Sequence, residues 1–396
     1  MDNLILIKSA FTNSLVLFLF RVSSLLLSIL LINNLNIKDF AFFQLIKNII
    51  GYLLICMEFG FFHYGNKLYN KDLFKFSSIF FNFLKLRFII FLFFYPIIFF
   101  YFYINNFDDE LLKISFLICF ILILSYEGVL VIISKNLELN LILLSKTLFF
   151  FILLFIYRDE LNIVNVLYFF IYSLLFGIFL QYFLYLTFKD NNTKFFKKNF
   201  FYYVIKSKNY FLINITNHFS LYIGLTISPF IISTKQIANY AILLLVLEIL
   251  MIPLFQLQKI LMPNYAKNKN NKSLIYSLKL FFIILIIGVI LHYLIGDFLF
   301  EKLLTSEYSK EKIIDYVYVL FPLAFLRGIN TLINLYFYYN NLIIFQRNIS
   351  ILNTAVSFFI FLYLGHEFKI IGLIFALFFV ELFYLILSYK FSKKIF

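Results

Sequence analysis

Arg21 fits its surroundings least well of all residues in this sequence, because it lies inside the apolar run VLFLFRVSSLLLSILL at 16–31. An arginine at the centre of a bilayer costs about 2.5–3.5 kcal/mol on insertion scales. Ser14, Ser24 and Ser28 lie seven, three and seven residues from it, which places them on the same face of a helix. The planar guanidinium and these hydroxyls are suited to phosphate oxygens and sugar hydroxyls.

Similar polar stripes recur in four other apolar segments. They consist of Gln44, Lys47, Asn48, Gly51 and Glu58; Asn214, Asn217, His218 and Ser228; Glu248, Gln256 and Lys259; and Arg327, Asn330, Thr331 and Asn334. Hydrogen bonding between helices would account for the serines, Thr331 and Asn334. Because unpaired cations are costly in a membrane, Arg21, Lys47 and Arg327 instead indicate a substrate or ion path.

Four acidic residues, Glu58, Glu127, Glu248 and Glu381, lie within or near the ends of apolar segments. Each could pair with a cation, remain protonated, or carry a coupling proton. We expect Lys146 to extend its ammonium group toward a membrane interface.

The composition is that of an integral membrane protein. Of the 396 residues, 63% are hydrophobic and only 14% are charged, against about a quarter in soluble domains. Apolar runs long enough to cross the bilayer recur throughout, and their length and pattern favour helices over barrel strands. The net charge of +14 is spread over short loops, which argues against nucleic-acid binding.

The spacing of charged and Asn-rich clusters predicts an all-α protein with about twelve transmembrane helices. They are expected near 10–32, 39–61, 84–104, 111–133, 141–157, 163–187, 209–232, 239–262, 279–296, 313–336, 348–364 and 370–389. The longest linker, 189–208, separates a bundle at 1–188 from one at 209–396. ITNHFSLY at 215–222 is similar to FTNSLVLF at 11–18, so the halves form a weak repeat. Six crossings in each half would give both halves the same orientation.

Lysine-rich loops predict that both termini are cytoplasmic, because short basic loops stay on that side. The basic residues of this side are Lys67, Lys71, Lys75, Lys85, Arg87, Lys189, Lys194, Lys197, Lys198, Lys206, Lys208, Lys267, Lys269, Lys272, Lys279, Lys390, Lys393 and Lys394. The opposite loops are acidic, with NNFDDE at 105–110 and RDE at 158–160. The first helix is expected to be an uncleaved signal anchor.

No enzyme motif is present: the sequence lacks HExxH, GxSxG and a P-loop. It also lacks a His or Cys cluster with metal-ligand spacing, so we predict neither a metal nor a cofactor. Cys56 and Cys119 fall inside apolar runs and are expected to be core residues. These features favour a non-enzymatic protein.

Several short motifs follow one another in a recognisable order. They are the arginine-bearing first helix, EFG at 58–60, IANYAI at 237–242, MPNYAK at 262–267, GDFLFEKLLTSEY at 296–308, and NTAVSFFIFLYLG at 353–365 with IIGLIFALFFVE at 370–381. This order resembles that of O-antigen (Wzx-type) polysaccharide flippases, which belong to the multidrug/oligosaccharidyl-lipid/polysaccharide (MOP) exporter superfamily. The likeness covers nearly the whole chain. It departs where the family's glycine before Tyr240 is replaced around Ile237 and Ala238.

The resemblance implies two six-helix bundles around a central cavity, as in MATE and other MOP proteins, lined mainly by the first, second, seventh and eighth helices. It implies a flippase that moves an undecaprenyl-pyrophosphate-linked oligosaccharide, an O-antigen or capsule repeat unit, from the cytoplasmic to the periplasmic leaflet. Transport would proceed by alternating access, driven by an ion gradient or the membrane potential. The expected location is the bacterial inner membrane, and the expected partners are this substrate, membrane lipids and other polysaccharide-assembly proteins.

The polar stripes supply the candidate site residues for such a function. The substrate-binding candidates are Arg21, Lys47, Asn48, Asn214, Asn217, His218, Arg327 and Asn330, and the ion-coupling candidates are Glu58, Glu127, Glu248 and Glu381. Two other functions stay open: a small-molecule or drug antiporter of the same superfamily, and a polysaccharide polymerase or ligase. An antiporter would be expected to favour acidic rather than cationic residues within the membrane.

Overall fold

The computed structural model describes residues 2–60, 76–125, 127, 130, 136–188, 200–268, 271–304, 310–340 and 342–392. In these ranges all regular structure is helical. The α-helices are α1 (Asp2–Asn34), α2 (Ile37–Glu58), α3 (Phe76–Ile104), α4 (Asp109–Ile123), α5 (Asn136–Ile156), α6 (Ile163–Phe188), α7 (Phe200–Ile227), α8 (Thr234–Asn268), α9 (Asn271–Leu303), α10 (Lys310–Tyr339) and α11 (Ile343–Ser392). Short 3₁₀ helices lie at Arg158–Glu160 and Ser228–Phe230.

Polar residues between the apolar runs start several of these helices by capping them. Asn36 Oδ1 accepts a hydrogen bond from the Asp39 backbone N–H at 2.8 Å before α2. At α8 the Ser233 backbone N–H donates to Gln236 Oε1 at 3.2 Å. Caps of this kind satisfy backbone N–H groups that have no partner inside the helix, which fixes where the helix begins.

The apolar helices have the dimensions of membrane spans. Within the described residues, nine segments are long and apolar enough to cross a bilayer: Leu15–Asn34, Ile37–Glu58, Phe83–Ile104, Leu137–Ile156, Ile163–Leu184, Thr234–Leu254, Leu274–Phe298, Ile313–Tyr338 and Ile343–Tyr389. The last contains two predicted helices, and its backbone departs from helical geometry at Lys369 (φ 55°, ψ −131°). The predicted total of about twelve spans therefore stays a prediction.

Outward-facing apolar side chains are typical of a protein surrounded by lipid. Phe93 on α3, Leu294 on α9 and Phe359 on α11 are 73%, 66% and 69% exposed. Such extensive apolar exposure is unfavourable in water and natural in hydrocarbon.

Several predicted boundaries differ from the structure, and α1 and α9, for example, begin at Asp2 and Asn271 rather than near residues 10 and 279. Helix α3 begins at Phe76, about two turns earlier than the predicted residue 84, because the apolar stretch FSSIFFNF extends it. Helix α7 begins at Phe200, so the second half of the predicted linker is helical. The first half, at 189–199, lies outside the described residues. So do several of the predicted cytoplasmic lysines: Lys67, Lys71, Lys75, Lys189, Lys194, Lys197, Lys198, Lys269, Lys393 and Lys394.

The contacts divide the chain into two compact units. The first contains Met1–Leu35 and Leu45–Ile215, and the second contains Asn36–Gln44 and Thr216–Phe396. In the first unit α5 packs against α1 and α6, and α4 packs against α3 and α6. In the second unit α10 packs against α8, α9 and α11. The assignment of six complete helices to each half stays a prediction.

Each unit contains a close helix contact that its sequence motif explains. In the first unit the EFG motif ends α2: Phe59 and Gly60 have φ of 46° and 64°, and Ser207 Oγ donates to the Phe59 carbonyl at 2.8 Å. A Cβ on Gly60 would lie 2.3 Å from the backbone nitrogen of Phe211. In the second unit a Cβ on Gly224 would lie 2.5 Å from the hydroxyl of the buried Tyr240, which belongs to IANYAI.

Candidate functional site

Arg21 presents an exposed guanidinium on α1. Its Cζ lies 5.6 Å from the centre of the Phe20 ring, and none of the described carboxylates forms an ion pair with it. Ser24 and Ser28 each donate to a backbone carbonyl four residues earlier, at 3.0 Å. These two hydroxyl protons are thus used within the helix, whereas the Arg21 cation is left for a ligand.

Lys47 and Asn48 on α2 have different environments. Lys47 is exposed and, like Arg21, has no carboxylate partner among the described side chains, whereas Asn48 is buried. Lys47 is therefore a second accessible cation of the first unit. Of these two residues of the stripe predicted for α2, Lys47 is exposed and Asn48 is packed in the interior.

Arg87 forms the centre of a polar cluster in the first unit. It lies eleven residues into α3 and is 1% exposed, although the sequence placed it among the cytoplasmic loop lysines. Its guanidinium donates to the carbonyls of Leu122, at 3.0 Å, and Ser125. Glu58 Oε1 lies 3.9 Å from its second terminal nitrogen. Arg87 thus lies within a helix, in agreement with the predicted span 84–104, and it is buried there rather than exposed beside the loop lysines.

The second ion pair of this unit joins Glu127 to Lys146 on α5. The Nζ–Oε1 distance is 2.8 Å, and both side chains are partly buried. Gly177 on α6 leaves room for the lysine stem, since a Cβ there would lie 3.0 Å from Lys146 Cδ. Lys146 is therefore held by a carboxylate, and the expectation that it extends toward a membrane interface stays a prediction.

In the second unit, α10 and α11 meet through a charged cluster around Glu381. Arg327 Nη1 donates to Glu381 Oε1 at 2.7 Å, and Asn330 Nδ2 donates to Oε2 at 2.7 Å and to the Glu381 carbonyl at 2.8 Å. The charge of Arg327 is thus neutralised by a carboxylate, unlike that of Arg21. The predicted helical face is present, and its carboxylate partner comes from the neighbouring helix.

One turn further along α10, Asn334 joins two more residues of the second unit. Its Oδ1 accepts hydrogen bonds from Gln346 Nε2, at 2.9 Å, and from the Tyr384 hydroxyl. The polar stripe of α10 therefore faces α11 along at least two turns. This arrangement is the one expected for hydrogen bonding between helices.

The candidate residues Asn214, Asn217 and His218 of α7 are half-buried, and the acid of α8 bonds to this helix. Glu248 Oε1 accepts a hydrogen bond from the Tyr222 hydroxyl. The His218 ring centre lies 4.5 Å from that of Tyr222. Asn214 and Asn217 are both partly accessible. Glu248 is the one ion-coupling candidate that forms no ion pair with a described cation.

Sequence reasoning missed Arg87 and Tyr222 as members of these clusters. The signal for Arg87 was the apolar run before it, while Tyr222 lies four residues after His218 and so falls on the stripe of α7. Gln256 and Lys259, also singled out in the sequence, have side chains outside the described part of the structure. In the described residues Cys56 and Cys119 are free and buried, and no three potential ligands are grouped around a metal position.

Comparisons with known proteins identify the fold. No protein-family model and no curated protein matches the sequence. An inward-facing multidrug resistance MATE family transporter of the MOP superfamily superposes with a TM-score of 0.68 at 13% identity, over 97% of this chain and 98% of that one. A MATE protein in complex with MaD5 gives 0.66 at 14% identity, over 98% and 96%.

A further solved structure with this fold differs in the character of its site. It is a MOP superfamily transporter from Pyrococcus furiosus for which a reverse polarity of the binding pocket suggests a different function. Its TM-score is 0.60 at 13% identity, over 97% of this chain and 96% of that one. At such identities the likeness establishes architecture alone. The chain is therefore a multi-pass membrane protein with the fold of MATE-type transporters of the MOP superfamily.

Proposed function

We propose that this protein is a flippase for an undecaprenyl-pyrophosphate-linked oligosaccharide, an O-antigen or capsule repeat unit. Arg21 is the observation that carries the proposal. It is an exposed cation inside the apolar span Leu15–Asn34, and no described carboxylate compensates it. Because such a charge is costly in a membrane, an anionic ligand would stabilise it, and a diphosphate offers several oxygens for the guanidinium fork.

The acidic residues support an anionic rather than a cationic substrate. Glu58, Glu127 and Glu381 each lie within ion-pair distance of a cation. A carboxylate that is already neutralised has little attraction left for an organic cation. In the described part of the chain, the exposed candidate cations without a carboxylate partner are thus Arg21 and Lys47, and Glu248 is the one candidate acid without a described cation partner.

The candidate residues then take distinct roles. Arg21 and Lys47 bind the diphosphate, and Asn214, Asn217 and His218 offer amide and imidazole groups to sugar hydroxyls. Arg327 is released for substrate when a proton neutralises Glu381, which couples substrate binding to proton binding. Glu58 and Glu127 are further coupling candidates, since protonation would weaken their contacts with Arg87 and Lys146. Asn48 and Asn330 support their neighbours from buried positions.

We also propose where the protein lies and in which direction it transports. The protein lies in the bacterial inner membrane with both termini in the cytoplasm, and it delivers the substrate to the periplasmic leaflet by alternating access. Other polysaccharide-assembly proteins supply the substrate and use the product.

Drug or small-molecule antiport is the second candidate function, and Glu248 favours it. This half-buried acid has a tyrosine partner but no described cation partner, so it could bind an organic cation. The structural neighbour with the highest TM-score given above is a multidrug resistance transporter. A polymerase or ligase is the third candidate, and it would release free lipid diphosphate from the same substrate.

Substitution of Arg21 tests the proposal in cells. Arg21→Ala should reduce surface polysaccharide at least about tenfold, since a hydrogen bond to a charged group contributes about 1.5–3 kcal/mol. Arg21→Lys should restore export only in part, because an ammonium lacks the planar fork. Surface polysaccharide and the amount of membrane-inserted protein are measured together.

Ser24→Ala is the matched control on the same helix. Its hydroxyl bonds within α1, so export should stay at the wild-type level. Wild-type export by Arg21→Ala, at an equal amount of protein, would contradict the role of Arg21.

A further inference from the structure

A polar cavity lies in the second unit, and none of the candidate substrate-binding or ion-coupling residues lines it. Its volume is about 340 Å³, within the range of small-ligand sites. It is lined by the beginning of α8, by Tyr316 of α10, and by the segment of α11 around Lys369. The topology predicted from the lysine-rich loops places these segments on the outer side of the membrane.

Two lysines give the cavity a positive character. Lys235 and Lys369 both line it and are exposed, and none of the lining residues within the described chain is acidic. The nearest acids in sequence are Asp315 and Glu367, and Glu367 lies 3.2 Å from the ring nitrogen of His366. An anion bound here would meet two ammonium groups and no lining carboxylate.

Asn239 contributes a buried hydrogen-bond acceptor that lacks a donor. It lines the cavity and is 5% exposed, and its Oδ1 has no hydrogen-bond partner in the described structure. A buried acceptor left unsatisfied costs about 1–3 kcal/mol. A ligand hydroxyl would donate to this oxygen. The cavity therefore favours an anion that carries hydroxyl groups over one that has none.

Lys369 holds a backbone conformation that is unusual for its residue type. Its φ of 55° and ψ of −131° interrupt α11, and such conformations are concentrated at functional sites. Its Nζ donates to the Ile231 carbonyl at 3.4 Å. Because an ammonium group has three donors, two more are available to a ligand.

We propose that this cavity binds an acidic sugar of the transported oligosaccharide. The carboxylate would pair with Lys235 and Lys369, a ring hydroxyl would donate to Asn239, and the rings of Tyr316 and Phe368 offer an apolar surface to the C–H face of the sugar. This inference rests on the proposed function and narrows its substrate to a glycan that contains a sugar acid. On the outer side such a site would hold the glycan after transport.

Binding of two matched monosaccharides tests the inference directly. Purified full-length protein in nanodiscs of zwitterionic lipid, which present no anionic headgroup, is titrated with methyl glucuronide and methyl glucoside, and binding is followed by saturation-transfer NMR. The glucuronide should bind at least about tenfold more tightly, because charged hydrogen bonds are lost with the glucoside. Equal binding of both sugars would overturn the inference.

Variants locate the binding in this cavity. Lys235→Ala, Lys369→Gly and Asn239→Asp should each weaken glucuronide binding about tenfold, and glycine tolerates the positive φ at position 369. Lys302→Ala, on the exposed end of α9, is the matched control and should bind as the wild type does. Unchanged binding in all three cavity variants would also overturn the inference, as would loss of glucuronide binding on adding an anionic glycerol lipid.

A flipping assay separates this inference from the proposed function. Transport of lipid-linked oligosaccharide without selective glucuronide binding would overturn the acidic-sugar site and leave the flippase intact. Selective binding that depends on the cavity residues, without transport, would support the site and contradict the flippase.

Discussion

Cation–carboxylate contacts hold Arg87 and Lys146 in the first unit and Arg327 in the second. Arg87 contacts Glu58 and two carbonyls near the end of α4, and Arg327 contacts Glu381 across α10 and α11. Removing one member of a buried pair leaves the other uncompensated, at a cost of about 3–5 kcal/mol. Arg21 differs from these residues because it is exposed and has no described carboxylate partner.

Substitution of Arg87 should destabilise the protein more than substitution of Arg21. Arg87→Met removes the donors for the Leu122 and Ser125 carbonyls together with the cation beside Glu58, so we expect a loss of about 3–5 kcal/mol and an apparent melting temperature lower by several degrees. Arg87→Lys should recover part of this loss, since a point charge cannot contact all three groups. Heating of the detergent-solubilised protein followed by size-exclusion chromatography measures it.

Arg21→Ala serves as the control and should melt near the wild-type temperature. If Arg87→Met melts at the same temperature as Arg21→Ala, the Arg87 cluster does not contribute to stability as we describe.

At the level of elements, the EFG turn fixes how α2 meets α7 in the first unit. Two successive residues with positive φ end α2, and the Phe59 ring stacks on Phe211 at 4.4 Å. Ser207, fully buried, adds a hydrogen bond to the Phe59 carbonyl. The turn therefore holds the end of α2, next to Glu58, against α7.

Gly60→Ala should loosen this contact. A left-handed conformation costs an L-residue about 1–2 kcal/mol, and the new Cβ would also meet the backbone of Phe211. Lower thermal stability and faster proteolysis of the purified protein near residues 58–60 are the expected readouts. Gly288→Ala is the control, because its Cβ meets a Phe321 ring atom at 3.0 Å rather than a backbone atom. Equal stability of the two variants would argue against a fixed turn.

The sequence predicted the helical nature of the protein well, because periods of three and four residues report directly on a helix surface. The face of Arg327 and Asn330 was predicted, but its partner Glu381 is 51 residues or more away in the chain, and a single sequence does not pair distant residues. Arg87 was grouped with the loop lysines although it falls inside the predicted helix 84–104, because its partners Glu58, Leu122 and Ser125 are distant in the chain.

For the whole molecule, the distribution of charge sets the expected energetics of transport. A diphosphate diester carries about two negative charges, and its outward movement from a negative interior gains roughly 2.3 kcal/mol per charge per 100 mV. Arg327 is compensated by Glu381 in this structure, so Arg21 and Lys47 are the cations that an anionic cargo would neutralise. The membrane potential should therefore favour export of the loaded substrate.

Reconstituted transport tests the flippase most directly. Purified protein in liposomes is given an undecaprenyl-diphosphate oligosaccharide with a fluorophore on the sugar, and an impermeant quencher reports the accessible leaflet. We predict protein-dependent crossing of this lipid, acceleration by a potential negative on the donor side, slower crossing with Arg21→Ala, and no accumulation of a fluorescent organic cation. Accumulation of the organic cation while the lipid-linked oligosaccharide stays in its original leaflet, or release of free lipid diphosphate, would contradict the account.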